Sequence, residues 1–599
     1  MSIFDYTQDQ AIGSVFSVDT GTVVVRVSNE DALRKLQVNH LVALRSARAG
    51  QHLVGLITKI TRRSVEGPVD TDVGDDVPEG LAIVENVIRV TLIGTLIDMV
   101  GAKPNVFRRT LETVPEIDAA CFVLEGPRLT KFMQSISQSA EQAQHPLSLG
   151  TYTIDEHADA WLDGNKLFQR HAVIVGSTGS GKSWTVARIL EQVAQLPNAN
   201  AILFDIHGEY RPLAGPGIRH LRVAGPNDLT AGAVDESVIF LPYWLLTYEE
   251  MLAMLLDRSD QNAPNQAMVF AREVTAAKRR RLEQENRQGV LANFTVDSPV
   301  PYLLDEVMNT LRELDTEMVP GTKTGEKQGP FHGKLTRFIQ RLEAKRDDRR
   351  LGFLFGGGEA TMVYDWMTAF CGALLGSTAQ REGQDGVKVI DFSEVPSDIL
   401  PLMLGLVGRV VFSVQQWIDE DKRCPVALFC DEAHLYIPER TESNAVHEAG
   451  LRAFERIAKE GRKYGVGLVV ISQRPAEVNR TVLSQCNNFI AMRLSNAEDQ
   501  SVVRRLLPDS LGSFSELLPI LDVGEALTVG DACILPSRIR MAEPTTKPSS
   551  ATVDFWDEWA GAATPDGIGL AVEALRRQSR ASGNELDVQP GAGALGGLV

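Results

Sequence analysis

Two short stretches of the chain carry residue types that do phosphate chemistry. Gly176–Ser183 reads G-S-T-G-S-G-K-S. Its glycines let the backbone curl so that successive N–H groups point into one concavity, and a helix starting at the lysine adds the positive end of its dipole. Gly176, Ser177, Thr178, Gly179, Ser180 and Gly181 then cradle phosphate oxygens, with Trp184 following directly. Lys182 reaches the β- and γ-phosphates, and Ser183 offers a hydroxyl to Mg²⁺. The second stretch is "CPVALFCDEAHLYIP". Its apolar lead delivers Asp431 to a strand end, where the carboxylate can hold Mg²⁺ through water. Glu432 beside it can polarise an attacking water, which hydrolysis needs. Together the stretches imply that ATP and Mg²⁺ are bound and that the ATP is hydrolysed.

The elements that must position these residues are legible around them. "AVIVG", "AILFD", "VALFCDE" and "GLVVISQ" are continuous apolar runs, as expected of parallel strands buried on both faces, and helical patterns separate them. That is an α/β sheet. In such a sheet the ligand-bearing strand ends share one edge, so Gln473, closing "GLVVISQ", belongs beside the phosphate loop as a γ-phosphate sensor. Arg170 precedes its strand instead of following it, and Arg456 and Arg462 lie before theirs. These three face the opposite edge, from which they can reach a neighbour's nucleotide in a ring.

Upstream, residues 11–61 and the run "IRVTLIGTLID" show short alternating segments with turn signals, the pattern of a small barrel. The reading divides the chain into an N-terminal β-barrel over 1–135, a core over 150–243 and 360–545, a helical insertion over 244–359, and a C-terminal brace with a Gly-rich tail over 546–599. The acidic loop at 64–80 has no assigned role. The chain of 599 residues carries a net charge of −18, which argues against coating nucleic acid with the whole surface. Local basic clusters remain at 278–281 and 341–350; such runs are usually solvated helix faces. The six cysteines are scattered without metal-ligand spacing, there is no long apolar run, and the N-terminus lacks a secretory pattern. A cytoplasmic chain without a membrane span is the expectation.

The letters D-E-A-H suggest a helicase box, but no S-A-T segment follows at the usual distance. The chain instead resembles the HerA family, within the FtsK–HerA branch of P-loop motors. The matching pieces are "VGSTGSGKSWT", "FDIHGEY", "DEAHLYIP", "IAKEGRKYGVGL", "SQRPAEVNRTVLSQCNNFIAMRLSNAEDQ" and "ILPSRIRM". The resemblance covers roughly Ala11 to Trp556 at varying strength, the N-terminal barrel included. The resemblance implies a RecA-like P-loop ATPase core behind a small β-barrel. It also implies a homohexameric ring moving double-stranded DNA, partnered by a nuclease such as NurA or by an antiviral effector such as a sirtuin-like NAD hydrolase. Residue by residue it places Lys182, Ser183, Asp431 and Glu432 in ATPase roles, Gln473 as sensor, Arg170 as a trans-acting arginine and Asp205 near the nucleotide. Arg456 and Arg462 fall in the matching basic segment. The alternatives are an ATP-regulated scaffold that assembles an effector and, more weakly, a secretion ATPase of related fold.

Overall fold

The computed structural model describes residues 3–578, apart from 29, 39, 66–82, 102, 142–144, 230–234, 321–324, 377–384, 441–443, 508, 550–554 and 562–566. The acidic loop lies almost wholly outside the described residues, as does the Gly-rich tail. The chain divides into two units: residues 1–196 with 467–547, and residues 197–466 with 548–599.

In the first unit, strands Gly13–Asp19, Thr22–Val27, Leu41–Arg45, Gln51–Val65, Ile83–Val100 and Ala120–Val123 form a closed antiparallel barrel. Closure comes from the pairing of Thr22–Arg26 with Val87–Thr91. A register shift at Val15/Ser17 bends the first strand, as barrel closure requires. The inward-facing residues, among them Val15, Val25, Leu44, Ile57 and Val90, are fully buried. Lys103–Arg108 adds a strand outside the ring. The following helix, Gly126–Glu141, packs on strand Asp155–Leu162, so the boundary drawn at 135 falls inside a helix.

The same unit holds a mixed sheet. Ala172–Val175 lies parallel between Val469–Ser472 and Asn488–Ala491. From Asn488–Met492 the sheet continues antiparallel through Glu525–Gly530, Ser537–Met541, Leu147–Tyr152 and Asp155–Leu162. Arg109 of the barrel pins this wing by donating to the carbonyl of Gly530 at 2.6 Å.

The second unit holds a fully parallel sheet in the order Val238–Ile239, Ile218–Val223, Val387–Asp391, Ala201–Asp205, Val426–Cys430. The last two are buried at every position, which is why they read as unbroken apolar runs. Helices Leu400–Trp417 and Ala445–Glu460 pack closely enough that a Cβ on Gly405 would lie 2.4 Å from the Gly450 Cα. Between Tyr248 and Leu375 the chain is mainly helical, with a short hairpin of Met318–Pro320 and Glu326–Gln328. Helix Trp366–Leu375 carries the helical region past 359.

Both basic clusters lie in this helical region, and much of their charge is already met. Lys278 is buried and donates to the carbonyls of Val296 and Ser298, both at 2.7 Å. Arg280 pairs with Glu306, Arg281 with Glu285, Arg341 with Asp257, Lys345 with Asp398, and Arg346 with Asp305. Among the described residues no helix is long and apolar enough to cross a membrane.

Candidate functional site

In the first unit the loop Gly176–Gly181 leaves the buried strand Ala172–Val175 and enters helix Lys182–Ala194. Gly179 (φ +73°) and Gly181 (φ +106°) take left-handed conformations that side chains resist. A Cβ on Gly176 would lie 2.4 Å from the Ser180 hydroxyl. The loop is stitched from within and without. Ser180 N–H donates to Ser177 O at 3.1 Å, Ser177 N–H to Arg493 O at 2.8 Å, and Gly524 N–H to Ser180 O at 3.0 Å. Lys182 is nearly buried at the first position of the helix, whose leading N–H groups have no intrahelical acceptors. An anion is what such a helix start accepts, so these residues fit the phosphates of a nucleotide.

Gln473 follows strand Val466–Ser472, and its side-chain oxygen accepts from the Thr178 hydroxyl at 2.6 Å. The loop and this amide are therefore in direct contact. Trp184 is covered by Lys547, whose ammonium sits 4.4 Å from a ring centroid. The amides of Thr545 and Thr546 bond the Glu191 carboxylate, laying residues 545–547 along the helix. Arg170 caps the C-terminus of helix Gly164–Gln169, at the opposite end of strand Ala172–Val175 from the loop. It is half-exposed, with its guanidinium 3.8 Å from Asp531.

In the second unit Asp391, Asp205 and Asp431 stand at one edge, since Asp205 pairs with Asp391 and Phe204 with Cys430. Asp205 is fully buried and accepts from the N–H groups of Glu209 and Tyr210, both at 3.0 Å. It thereby locks the "HGEY" turn. Burial pushes its carboxyl up to about 6; the N–H bond from Tyr210 opposes the rise and the charge of Asp391 adds to it. Asp431 and Glu432 are both buried. Glu432 adopts φ +44°, ψ +46°, the left-handed region, which costs about 1–2 kcal/mol for a residue with a Cβ. Its carboxylate lies 3.3 Å from His434 Nδ1. Arg456 stacks over Phe412 at 4.9 Å and donates to Gln416 at 3.1 Å, so it is engaged within its own unit. Arg462 lies in the short turn Gly461–Tyr464, ahead of the strand that Gln473 closes.

Sequence reasoning missed His434 and the Gly524 amide. The first stands two residues past Glu432, in the matched piece "DEAHLYIP", where only the acidic pair was given a role. The second follows from a turn whose glycine carried no motif.

A glycine-cornered phosphate loop opening a helix, and a buried Asp-Glu pair closing a parallel strand, define a P-loop ATPase core. Residues 147–355 match the family described as "Helicase HerA, central domain". Over that stretch the chain is similar to the HerA family. A probable helicase of Methanocaldococcus jannaschii is 25% identical over 401 residues, covering 66% of each chain. The DNA double-strand break repair helicases HerA of Pyrococcus furiosus and Sulfurisphaera tokodaii are 24% and 26% identical, over 69% and 68% of their own lengths. The matches thus span about two thirds of these relatives. Among solved structures, the bacterial conjugative coupling protein TrwB aligns over 70% of this chain and 93% of its own, with TM-score 0.43 and 12% identity. VirB4 of Thermoanaerobacter pseudethanolicus covers 67% and 96%, with TM-score 0.41 and 16% identity.

The Asp205 carboxyl gives a pH test. Its raised value means the folded chain takes up this proton near pH 6, the unfolded chain only near 3.8. Between those values the folded state holds the extra proton, so this group makes stability rise as pH falls. The difference in unfolding midpoint between wild type and Asp205→Asn should shift in favour of wild type from pH 7 to pH 4. A difference that stays constant across that range would overturn the assignment.

Proposed function

We propose that this chain is an ATP-hydrolysing homohexameric motor that translocates double-stranded DNA and works with a nuclease or another effector. The observation that carries hydrolysis is Glu432: a glutamate immediately after Asp431, held in a left-handed backbone at an energetic cost. Strain of that kind persists where the side chain's aim matters more than its comfort. The match to the HerA central domain and similarity to relatives named as DNA repair helicases support the DNA substrate.

In this reading the loop N–H groups and Lys182 would hold the triphosphate, while Ser183 and Asp431 would hold Mg²⁺, which would neutralise phosphate charge. Glu432 takes a proton from the attacking water as the water's oxygen meets the γ-phosphorus. Gln473 registers the γ-phosphate through Thr178. Arg170, with Arg456 and Arg462 as further candidates, serves a neighbouring subunit's nucleotide.

A second reading is an ATP-regulated hexameric scaffold that assembles an antiviral effector, a nuclease or a sirtuin-like NAD hydrolase. The net charge of −18 and the ion-paired basic clusters favour it. Duplex DNA separates the two: a motor's ATP turnover rises with it, and a scaffold's does not.

Glu432→Gln should bind ATP as wild type does and lose hydrolysis by about 10²–10⁴-fold, the usual worth of a general base. Lys182→Ala should lose binding itself. Wild-type turnover in Glu432→Gln would remove Glu432 from the base role.

Arg170→Ala should keep ATP binding and lose most hydrolysis, since a trans arginine contributes about 10³–10⁵ in rate. Mixed with Lys182→Ala subunits, it should regain activity, because some interfaces then pair an intact loop with an intact arginine. No recovery, with subunit exchange verified and with wild-type rings tolerating a single inactive subunit, would exclude action in trans.

A further inference from the structure

The phosphate loop must aim its N–H groups inward, and one of its peptides is aimed from outside. Ser180 C=O accepts the N–H of Gly524 at 3.0 Å. A trans peptide is planar, with its C=O and N–H on opposite sides, and no cis bond occurs among the described residues. Fixing the Ser180 carbonyl on Gly524 therefore turns the Gly181 N–H to the other side, away from Gly524. The backbone of Gly181, at φ +106°, is the kind of soft joint that needs such a hold.

Gly524 is itself held on both sides. Its carbonyl accepts the Met541 N–H at 2.8 Å, and it sits in the left-handed region at φ +77°. The turn around it closes through Glu525, whose N–H donates to Asp522 O at 3.1 Å and whose carboxylate accepts the Asp522 N–H at 3.2 Å. That carboxylate is buried, with 3% of its side chain exposed, and two arginines converge on it. Arg538 donates through Nε at 2.9 Å and also through Nη2, and Arg540 donates to the other oxygen at 2.8 Å. Both arginines lie in "ILPSRIRM", a stretch matched to the family without a role.

We propose that Glu525, Arg538 and Arg540 are positioning residues for the triphosphate. They set the Asp522–Glu525 turn so that the Gly524 amide orients the Ser180–Gly181 peptide. None of the three touches nucleotide; they act through one backbone hydrogen bond. The cluster is placed for this and not merely for packing, because the turn it closes ends on the loop. Met541, next to Arg540, grips the same glycine from behind.

This inference rests on Gly176–Ser183 being the triphosphate loop. The test is equilibrium binding of ATP and of inorganic tripolyphosphate to the full-length chain, with thermal melting alongside. Glu525→Gln and Arg540→Ala should each bind both ligands at least about tenfold more weakly, the worth of one charge-assisted hydrogen bond, with kcat at saturating ATP changed far less than KM. The double variant should be no weaker than Glu525→Gln alone, since both act through one turn. Arg540→Lys, at a half-exposed position, keeps the charge without the fork and should fall between wild type and Arg540→Ala while melting like wild type. Wild-type binding of ATP in a folded Glu525→Gln would overturn the proposal. So would additive losses in the double variant, or unfolding of Arg540→Lys, which would make the cluster a stability element. If Lys182→Ala also binds normally, the loop assignment has failed; if Lys182→Ala loses binding and the Glu525 variants do not, only the positioning role has failed.

Discussion

A triphosphate brings several negative charges to one place, and the first unit answers with backbone dipoles more than with side chains. The answer depends on a few peptides all facing one point. Gly179 and Gly181 supply turns that no other residue takes without strain, and the helix from Lys182 supplies amides without acceptors. Such a loop would relax if left to itself. Arg493 and Gly524 tie it from outside and Ser177 from within, and the strand before it is buried at each of its four positions. The sheet acts as the rigid frame from which those ties are strung.

The second unit solves the opposite electrostatic problem. Its parallel strands bring Asp391, Asp205 and Asp431 to one edge, where burial and the charge of Asp391 raise the cost of ionising Asp205. Asp205 spends its lone pairs on two turn amides and still holds its proton up to about pH 6. Asp391 is met by Arg211 at 2.7 Å. Glu432 is turned out of the strand direction by its left-handed backbone, toward His434. Family likeness placed Asp205 near nucleotide; its visible contacts give it the work of holding a turn.

Legibility followed burial. Strands buried on both faces, such as Ala201–Asp205 and Val426–Cys430, announce themselves as apolar runs. The octet Gly176–Ser183 is equally plain, because its chemistry is local. Asp155–Leu162, "DEHADAWL", was not read as a strand, since one side is wet and its polar residues resemble a loop. It pairs with Leu147–Tyr152, whose other partner, Ser537–Met541, lies far along the chain, beyond the reach of local pattern. The same distance hid the Gly524–Ser180 bond. The basic clusters looked available for an anionic partner because sequence shows the cations and not Glu306, Asp257 or Asp398 folded against them. Arg456 likewise gave no hint of its place on the Phe412 ring.

The strand that ends in the phosphate loop is flanked on both sides by segments made much later. Ala172–Val175 pairs only with residues 469–472 and 488–491, and the second unit's chain is synthesised in between. At ribosomal rates of about 5–20 residues per second, those partners arrive some 15–60 s after the strand emerges, by order of magnitude. During that interval an apolar strand has both edges open, the condition under which nascent chains pair wrongly or recruit chaperones. The barrel closes from residues that are all present by then, and the parallel strands of 201–430 can pair among themselves. Closure of the phosphate loop is thus a late event in the life of the chain. A chain cut between about residues 176 and 468 keeps every barrel strand and lacks both partners of the strand that leads into the phosphate loop.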